Sequence, residues 1–380
     1  MLKPWKPVKV ALIGAGVISG EYLKNMVYNF DILDVVGCSD IIPEKSAARA
    51  AEFGIRQMTN EEILSDPEIE VVVNTTYPTE HYNVSKQILE AGKHLYCEKP
   101  MCAELGQAKE LMDMAREKGL YIGNAPDTFL GAGYQTARHL LDAGIIGKPI
   151  MARATLIRGS YVLGGAEPKF PFPSYPGGGI IFDVGCYYLV NLINLLGPIR
   201  RVAGFAQTNI KEKPYVNPHH PEYGDQVKTQ SPTNTIGALE FESGVLGTIM
   251  TTTECFSETP QLEIYGSEGI LTCPDPNCFG GDVKVTRVGY REPYVVQHTH
   301  AYTDPNMRGI GVAEFAYAIR NGRKARTDAS MAYHFLEASF GMIESGETER
   351  YYHLQSTCER PAALASGITT GYTEYVFNHE

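Results

Sequence analysis

Three groups of residues in this 380-residue chain have the types and spacing to do chemistry. Glu98-Lys99-Pro100 sets a carboxylate and an ammonium beside a proline. Asp183 and Tyr187 lie four residues apart within Gly177-Gly-Gly-Ile-Ile-Phe-Asp183-Val-Gly-Cys-Tyr187. On a helix predicted over Phe182–Leu196, stopped by Gly197-Pro198, they share one face. Gly14-Ala15-Gly16 follows the apolar run Val10-Ala-Leu-Ile13. A glycine turn for a dinucleotide, a lysine and a helix-borne Asp/Tyr pair are together what nicotinamide-dependent alcohol oxidation requires. A phenol can relay a hydroxyl proton if a nearby cation lowers its pKa from about 10. Taken singly, Lys99 reads as an exposed loop lysine, and Tyr187 and Asp183 as a core aromatic and a helix-start acid.

The elements that must position these groups are legible as alternating patterns. Strands are predicted at Val8–Ile13, Leu33–Ser39, Val71–Asn74, His94–Cys97 and Leu120–Gly123. Helices fall between them at Val17–Tyr28, from Pro43, at Glu80–Ala91 and at Glu104–Lys118. This alternation gives a parallel sheet wound on both faces over residues 1–125. Gly14 permits the tight turn after the first strand, and Gly16 lets backbone approach a pyrophosphate at the start of the helix that Val17 and Ile18 open. Asp40 ends the second strand 24 residues after Gly16, where an acid binds the adenosine ribose hydroxyls and repels a 2′-phosphate. No Arg or Lys adjoins it, so NAD is expected over NADP; Asp40 could instead cap the following helix.

After Ala125-Pro126 a helix over Gly133–Ala143 leads into long alternating runs: Ala152–Ser160, Val202–Ile210, Thr235–Phe241, Val245–Thr253, Leu262–Tyr265, Gly269–Cys273 and Val283–Val288. They predict an α+β domain over 126–380 with a large, open, mostly antiparallel sheet. Glu242-Ser-Gly244 reads as a hairpin turn, and Gly311–Arg320 and Ala329–Ser345 as late helices. Lys211–Pro232, rich in Pro, His and polar residues, reads as a surface loop with His219 and His220 solvated. One broad sheet face needs cover, which a dimer or tetramer would supply.

Composition excludes several classes. The chain is 43% hydrophobic and 20% charged, as globular proteins are. A net charge of −11 without a basic stripe disfavours nucleic acid. No apolar run reaches the roughly 20 residues of a membrane span, and the start Met1-Leu-Lys-Pro lacks a secretory apolar region. A cytoplasmic protein is expected. The eight cysteines show no zinc spacing and read as free thiols, so no metal is expected.

Several segments together carry a resemblance. They are Gly14-Ala-Gly16, Thr75-Thr76-Tyr77-Pro78 with His81, and Ala91-Gly-Lys-His94 with Glu98-Lys99-Pro100. Gly144-Ile-Ile-Gly147-Lys-Pro, Gly177–Tyr187 and Leu196-Gly-Pro198 follow in order. The whole chain resembles the glucose–fructose oxidoreductase/inositol dehydrogenase family. That resemblance implies a Rossmann domain, an α+β domain whose open sheet often forms an oligomer interface, and sugars, cyclitols or related alcohols as substrates. It implies that Thr75, Thr76, Tyr77, His81, Glu98 and Lys99 face the cofactor, with Lys99 beside the nicotinamide and the reacting hydroxyl. It implies that Pro100 is cis in many relatives, and that Tyr187 stands where the family commonly has His. The roles that follow are Tyr187 taking the proton, Lys99 polarising the oxygen and Asp183 orienting. Asp127, Thr128, Arg158, Tyr161, Lys169, Tyr188, His300, Asn306 and Arg308 are candidates for the substrate side. Alternatives within the resemblance are a dihydrodiol-type dehydrogenase, a redox-neutral enzyme that cleaves glycosides by oxidation and elimination, and a non-catalytic NAD sensor.

Overall fold

The computed structural model describes residues 6–158, 178–255 and 258–366. The chain divides into two compact units: Met1–Gln135 with Thr299–Tyr333 and Pro361–Glu380, and Thr136–His298 with His334–Arg360. The division is therefore not one cut near residue 125, because 299–333 returns to the first unit.

The first unit is built from β1 (Val8–Ile13), α1 (Val17–Tyr28), β2 (Leu33–Ser39), α2 (Pro43–Phe53), β3 (Arg56–Gln57) and α3 (Asn60–Ser65). It continues through β4 (Val71–Asn74), α4 (His81–Glu90), β5 (His94–Cys97), α5 (Leu105–Lys118) and β6 (Ile122–Asn124). The strands form one sheet in the order β3-β2-β1-β4-β5-β6, and every pair is parallel. β1 and β4 are buried along almost their whole length, which is why they read as continuous apolar runs. Strand order reverses between β1 and β4. In an open parallel sheet the crevice at that point, beyond the carboxyl ends of the strands, is where ligands bind.

In the second unit, β7 (Pro149–Arg158) precedes two consecutive helices, α7 (Ile180–Asp183) and α8 (Gly185–Leu196); α6 (Ala132–Asp142) comes just before β7. Then come β8 (Ile199–Gln207), β9 (Glu212–Pro214), β10 (Gln226–Lys228), β11 (Asn234–Phe241), β12 (Leu246–Thr252), β13 (Glu258–Gly266), β14 (Gly269–Cys273), β15 (Val283–Arg287) and β16 (Tyr294–Val296). α9 (Ile310–Asn321) belongs to the first unit; α10 (Ala329–Thr348) and β17 (Tyr352–His353) follow. Nine strands form a sheet in the order β16-β15-β14-β13-β7-β12-β11-β8-β17, antiparallel except for β12 on β7. Phe241 N–H donates to the Val245 carbonyl at 3.0 Å and closes the expected hairpin at Glu242–Gly244.

Two expectations need correction. Lys211–Pro232 is not plain loop: β9 and β10 pair antiparallel as a small hairpin. Within it His220 is buried and stacks on Tyr215, ring centroids 4.1 Å apart, so only His219 is exposed. The helix expected over Phe182–Leu196 is interrupted at Val184, which ends α7 and precedes α8 with a φ of −117°. Tyr187 N–H donates to the Val184 carbonyl at 3.1 Å, and the Asp183 carbonyl accepts from the Cys186 thiol at 3.4 Å. Asp183 therefore ends one short helix and Tyr187 lies in the first turn of the next.

Candidate active site

The first unit contributes the carboxyl ends of β1, β2, β4 and β5, followed respectively by Gly14, Asp40, Thr75 and Glu98. Gly14 has φ +105°, and a side chain there would lie 2.6 Å from the Thr76 nitrogen. Its carbonyl accepts from the Thr75 hydroxyl at 2.7 Å, and its N–H donates to the Ser39 carbonyl at 2.9 Å. Gly14 thus packs the turn against β4 and β2. Gly16 is different. It has φ −74° at the start of α1, no side chain caps that helix, and a Cβ built on it meets nothing within 4 Å. Open space over an uncapped helix N-terminus is the cradle that a pyrophosphate needs.

Val17, Ile41, Ile42 and Tyr77 expose apolar surface beside these turns, Ile41 to 96%. Large apolar groups left bare around a polar cradle suit the faces of an adenine and its ribose. The Asp40 carboxylate accepts from the Ile42 N–H at 2.8 Å, which shapes the loop before α2 without capping the helix itself. Arg49, on α2, was not anticipated beside the glycine turn. Its guanidinium is 3.5 Å from the Gly16 carbonyl and packs against Gly20, while it pairs with Glu52 at 2.6 Å. No motif spacing marks it, because only the packing of α2 on α1 brings it there.

The Asn74 amide oxygen accepts from the Thr76 N–H at 3.1 Å and its hydroxyl at 2.7 Å, fixing the turn after β4. Lys99 is half-buried after β5, and the Lys99–Pro100 bond is cis. Two expected cofactor ligands turn inward instead. Glu98 is buried; it accepts from the Tyr22 hydroxyl at 2.9 Å and from the Lys99 N–H at 2.8 Å, so it braces α1 against the lysine turn. His81 is buried with Nδ1 2.6 Å from the Pro100 carbonyl and Nε2 3.1 Å from the Thr76 carbonyl. The ring sits between the Thr76 and Lys99 turns and, as a neutral imidazole, donates its one N–H to one of these carbonyls. Burial lowers its pKa, against the pull of the two carbonyls and Glu98.

Asp127 is likewise internal. It accepts from the Gly309 and Gly311 N–H groups at 3.2 and 3.0 Å, at the start of α9, and burial raises its pKa to about 6. Thr128 is buried in the adjoining short turn. Asn306 and Arg308 join the first unit too: their carbonyls accept from Asn25 of α1, at 3.2 and 2.9 Å. His300 faces the Leu364 carbonyl at 3.0 Å. These contacts give Asp127, Asn306, Arg308 and His300 structural partners within the first unit.

The second unit holds Asp183, Tyr187, Tyr188 and Arg158. Asp183 and Tyr187 are buried, and the Asn191 amide donates to the Tyr187 carbonyl at 2.8 Å. Tyr188 is wholly enclosed, its hydroxyl has no hydrogen-bond partner among the described residues, and burial pushes its pKa well up. Arg158 ends β7. Tyr161 and Lys169 lie outside the described residues. Among the described residues no group of three or more His, Cys, Asp or Glu could hold a metal, and no helix is long and apolar enough to cross a membrane.

Comparison with known proteins matches both parts of the chain to one family. Residues 8–125 match the oxidoreductase family with an NAD-binding Rossmann fold (Gfo/Idh/MocA), and residues 134–272 match that family's C-terminal domain. The chain is 30% identical to 1,5-anhydro-D-fructose reductase of Ensifer adhaerens over 68% of this chain and 74% of that one. It is 26% identical to the NAD(+) scyllo-inositol 2-dehydrogenase of Bacillus subtilis over 70% and 73%. An uncharacterized oxidoreductase of Schizosaccharomyces pombe is 31% identical, but that match spans about half of each chain (50% and 52%). Levoglucosan dehydrogenase in complex with NADH and L-sorbose has the same fold, with TM-score 0.79, 19% identity and coverage of 93% and 100%.

Proposed function

Because the chain belongs to the Gfo/Idh/MocA family of NAD-binding oxidoreductases, we propose that it oxidises a secondary hydroxyl of a sugar, glycoside or cyclitol to a ketone with NAD. One observation carries the cofactor reading: Gly16 leaves open space over an uncapped helix start at the reversal point of the parallel sheet. Gly14, Gly16, Val17, Ile18, Thr75, Thr76 and Tyr77 would hold the dinucleotide, and Asp40 would take its ribose hydroxyls. A bound NAD would supply the hydride acceptor for this oxidation.

The chain's own residues do the rest. The Lys99 ammonium stabilises the oxygen as it gains negative charge. The Tyr187 phenol takes the hydroxyl proton as the general base. Asp183 orients the hydroxyl. His81 and Glu98 act one layer further in, holding the Lys99 turn from two sides. Relatives named for inositols and for an anhydrofructose support a polyol substrate.

A panel of inositols, anhydro sugars, aldoses and glycosides, incubated with NAD or NADP, tests the proposal. Absorbance of the reduced cofactor and mass analysis of products are read together. Net NADH with a ketone supports it. Released aglycone without net NADH would identify redox-neutral cleavage. Tight NAD binding with no product from any polyol would identify a sensor.

A further inference from the structure

Glu254, just beyond the end of β12, gathers five hydrogen bonds on one carboxylate. Oε1 accepts from the Thr233 hydroxyl at 2.6 Å, the Ile210 N–H at 2.8 Å and the Asn209 N–H at 3.1 Å. Oε2 accepts from the Asn234 and Asn209 amides at 2.6 and 3.1 Å. These donors come from the two feet of the β9–β10 hairpin, one leaving β8 and the other entering β11. Both feet are largely polar, and Asn209 and Ile210 are exposed. Ser231 and Thr233 of the second foot are buried, and, beside the Thr208–Ser231 and Lys213–Thr253 bonds, the Glu254 carboxylate ties this foot to the exposed first one through its own hydrogen bonds. The same bonds hold the carboxyl ionised, with its pKa down to about 2.

The second foot reaches the turn that precedes Asp183. The Ser231 hydroxyl donates to the Gly178 carbonyl at 2.6 Å. Gly179 has φ +87°, and a side chain on it would lie 2.8 Å from the Pro232 carbonyl. The Gly179 carbonyl in turn accepts from the Asp183 N–H at 2.9 Å. A continuous path thus runs from Glu254 through Thr233, Pro232 and Ser231 to the first carbonyls of α7.

We propose that Glu254 is a positioning residue: it pins both feet of the β9–β10 hairpin and thereby holds the Gly178–Gly179 turn that aims Asp183 and Tyr187. Its consequence for turnover rests on the oxidoreductase reading; its consequence for the turn does not.

The test uses the full chain and two substitutions. Glu254→Gln keeps the shape but turns one acceptor into a donor facing other donors. Ser231→Ala removes only the hydroxyl link to Gly178. Hydrogen exchange over residues 178–184 should quicken about tenfold in both variants, the worth of one or two hydrogen bonds. NAD affinity, measured by calorimetry, should stay within about twofold. For the polyol turned over fastest in the panel, kcat should fall about tenfold with the KM for NAD unchanged. Unaltered exchange in Glu254→Gln overturns the proposal, and so does faster exchange with unchanged kcat. If the wild type turns over no polyol, the oxidoreductase reading fails and exchange alone decides the anchor. If Glu254→Gln does not fold, Thr233→Val, which removes only one of the five donors to Glu254, decides it by the same readouts.

Discussion

Gly16→Ala should damage cofactor binding and almost nothing else. The residue has φ −74° and ψ −162°, which alanine adopts without strain, and the added methyl would meet no atom within 4 Å. Glycine is a better helix N-cap than alanine, so stability should fall by about 0.5–1 kcal/mol. With a pyrophosphate in the cradle, the methyl becomes an overpacked contact worth about 1–3 kcal/mol. That is a Kd for NAD raised about 5- to 150-fold. Gly14→Ala is the contrasting control. At φ +105°, with backbone atoms of Thr75 and Thr76 within 2.8 Å of the new carbon, it carries both strain and a clash. Its cost should be about 2–6 kcal/mol of stability before any cofactor is added. Chemical denaturation without cofactor, and calorimetric titration with NAD, separate the two effects. If Gly16→Ala binds NAD within twofold of wild type, the dinucleotide does not cross this turn and the cofactor reading fails. If Gly16→Ala loses as much stability as Gly14→Ala, the distinction between the glycines is wrong.

Lys99→Ala should lower kcat about 10²-fold with little change in NAD affinity, and Tyr187→Phe should lower it about 10²–10⁴-fold without unfolding the protein; wild-type turnover in either removes that residue from the mechanism. Calorimetry should show NAD binding more tightly than NADP, and Asp40→Ala should narrow the gap because Arg49 lies at the Gly16 carbonyl; equal affinities in the wild type would sink the Asp40 assignment. His334 is buried, its Nε2 accepts from the Ile199 N–H at 2.9 Å, and burial pushes its pKa down to about 4. The neutral ring is the folded form, so its contribution is complete above pH 6.5 and is lost as pH falls from there towards 4, by about 2 kcal/mol at pH 5; denaturation curves at pH 7.5 and 5 should show this fall, and His334→Gln should remove it. Phe205, Ile236 and Leu246 leave an apolar sheet face at least half exposed; Phe205→Glu should shift a dimer or tetramer towards monomer in light scattering, and a wild-type monomer at micromolar concentration would refute the oligomer.

Where a feature depends on residues close in sequence, the reading from sequence and the structure coincide. β1, α1, β2, β4 and β5 fall at the expected residues, because apolar runs, a glycine turn and Pro43 are local signals. The glycine pair and the lysine turn carry enough identity to point to the family. Features set by distant partners are the ones missed. Glu98 looks outward from its motif, yet the Tyr22 hydroxyl, 76 residues earlier, draws it inside. His81 belongs to a recognisable motif, but its burial between the Thr76 and Pro100 carbonyls is set by the fold. Arg49 carries no motif at all.

The clearest contrast is between the two glycine turns. At Gly14-Ala15-Gly16 the chain specifies its own conformation, because the turn follows a buried strand and opens a helix within a few residues. At Gly178–Asp183 the same residue type begins a helix whose fate is decided elsewhere. Periodicity carries an unbroken helix through Val184, whereas in the fold the Cys186 thiol takes the Asp183 carbonyl, and Ser231 and Pro232 hold the turn ahead of it. Likewise the polar composition of Lys211–Pro232 points to loose loop, while Glu254 ties its ends and Tyr215 buries His220. Sequence alone determined which elements form and which chemical groups are present, since propensity and turn geometry are short-range. Tertiary structure decided which of those groups face inward as struts, where the helix breaks and what holds the turn before Asp183, since each depends on hydrogen bonds that exist only once distant segments pack.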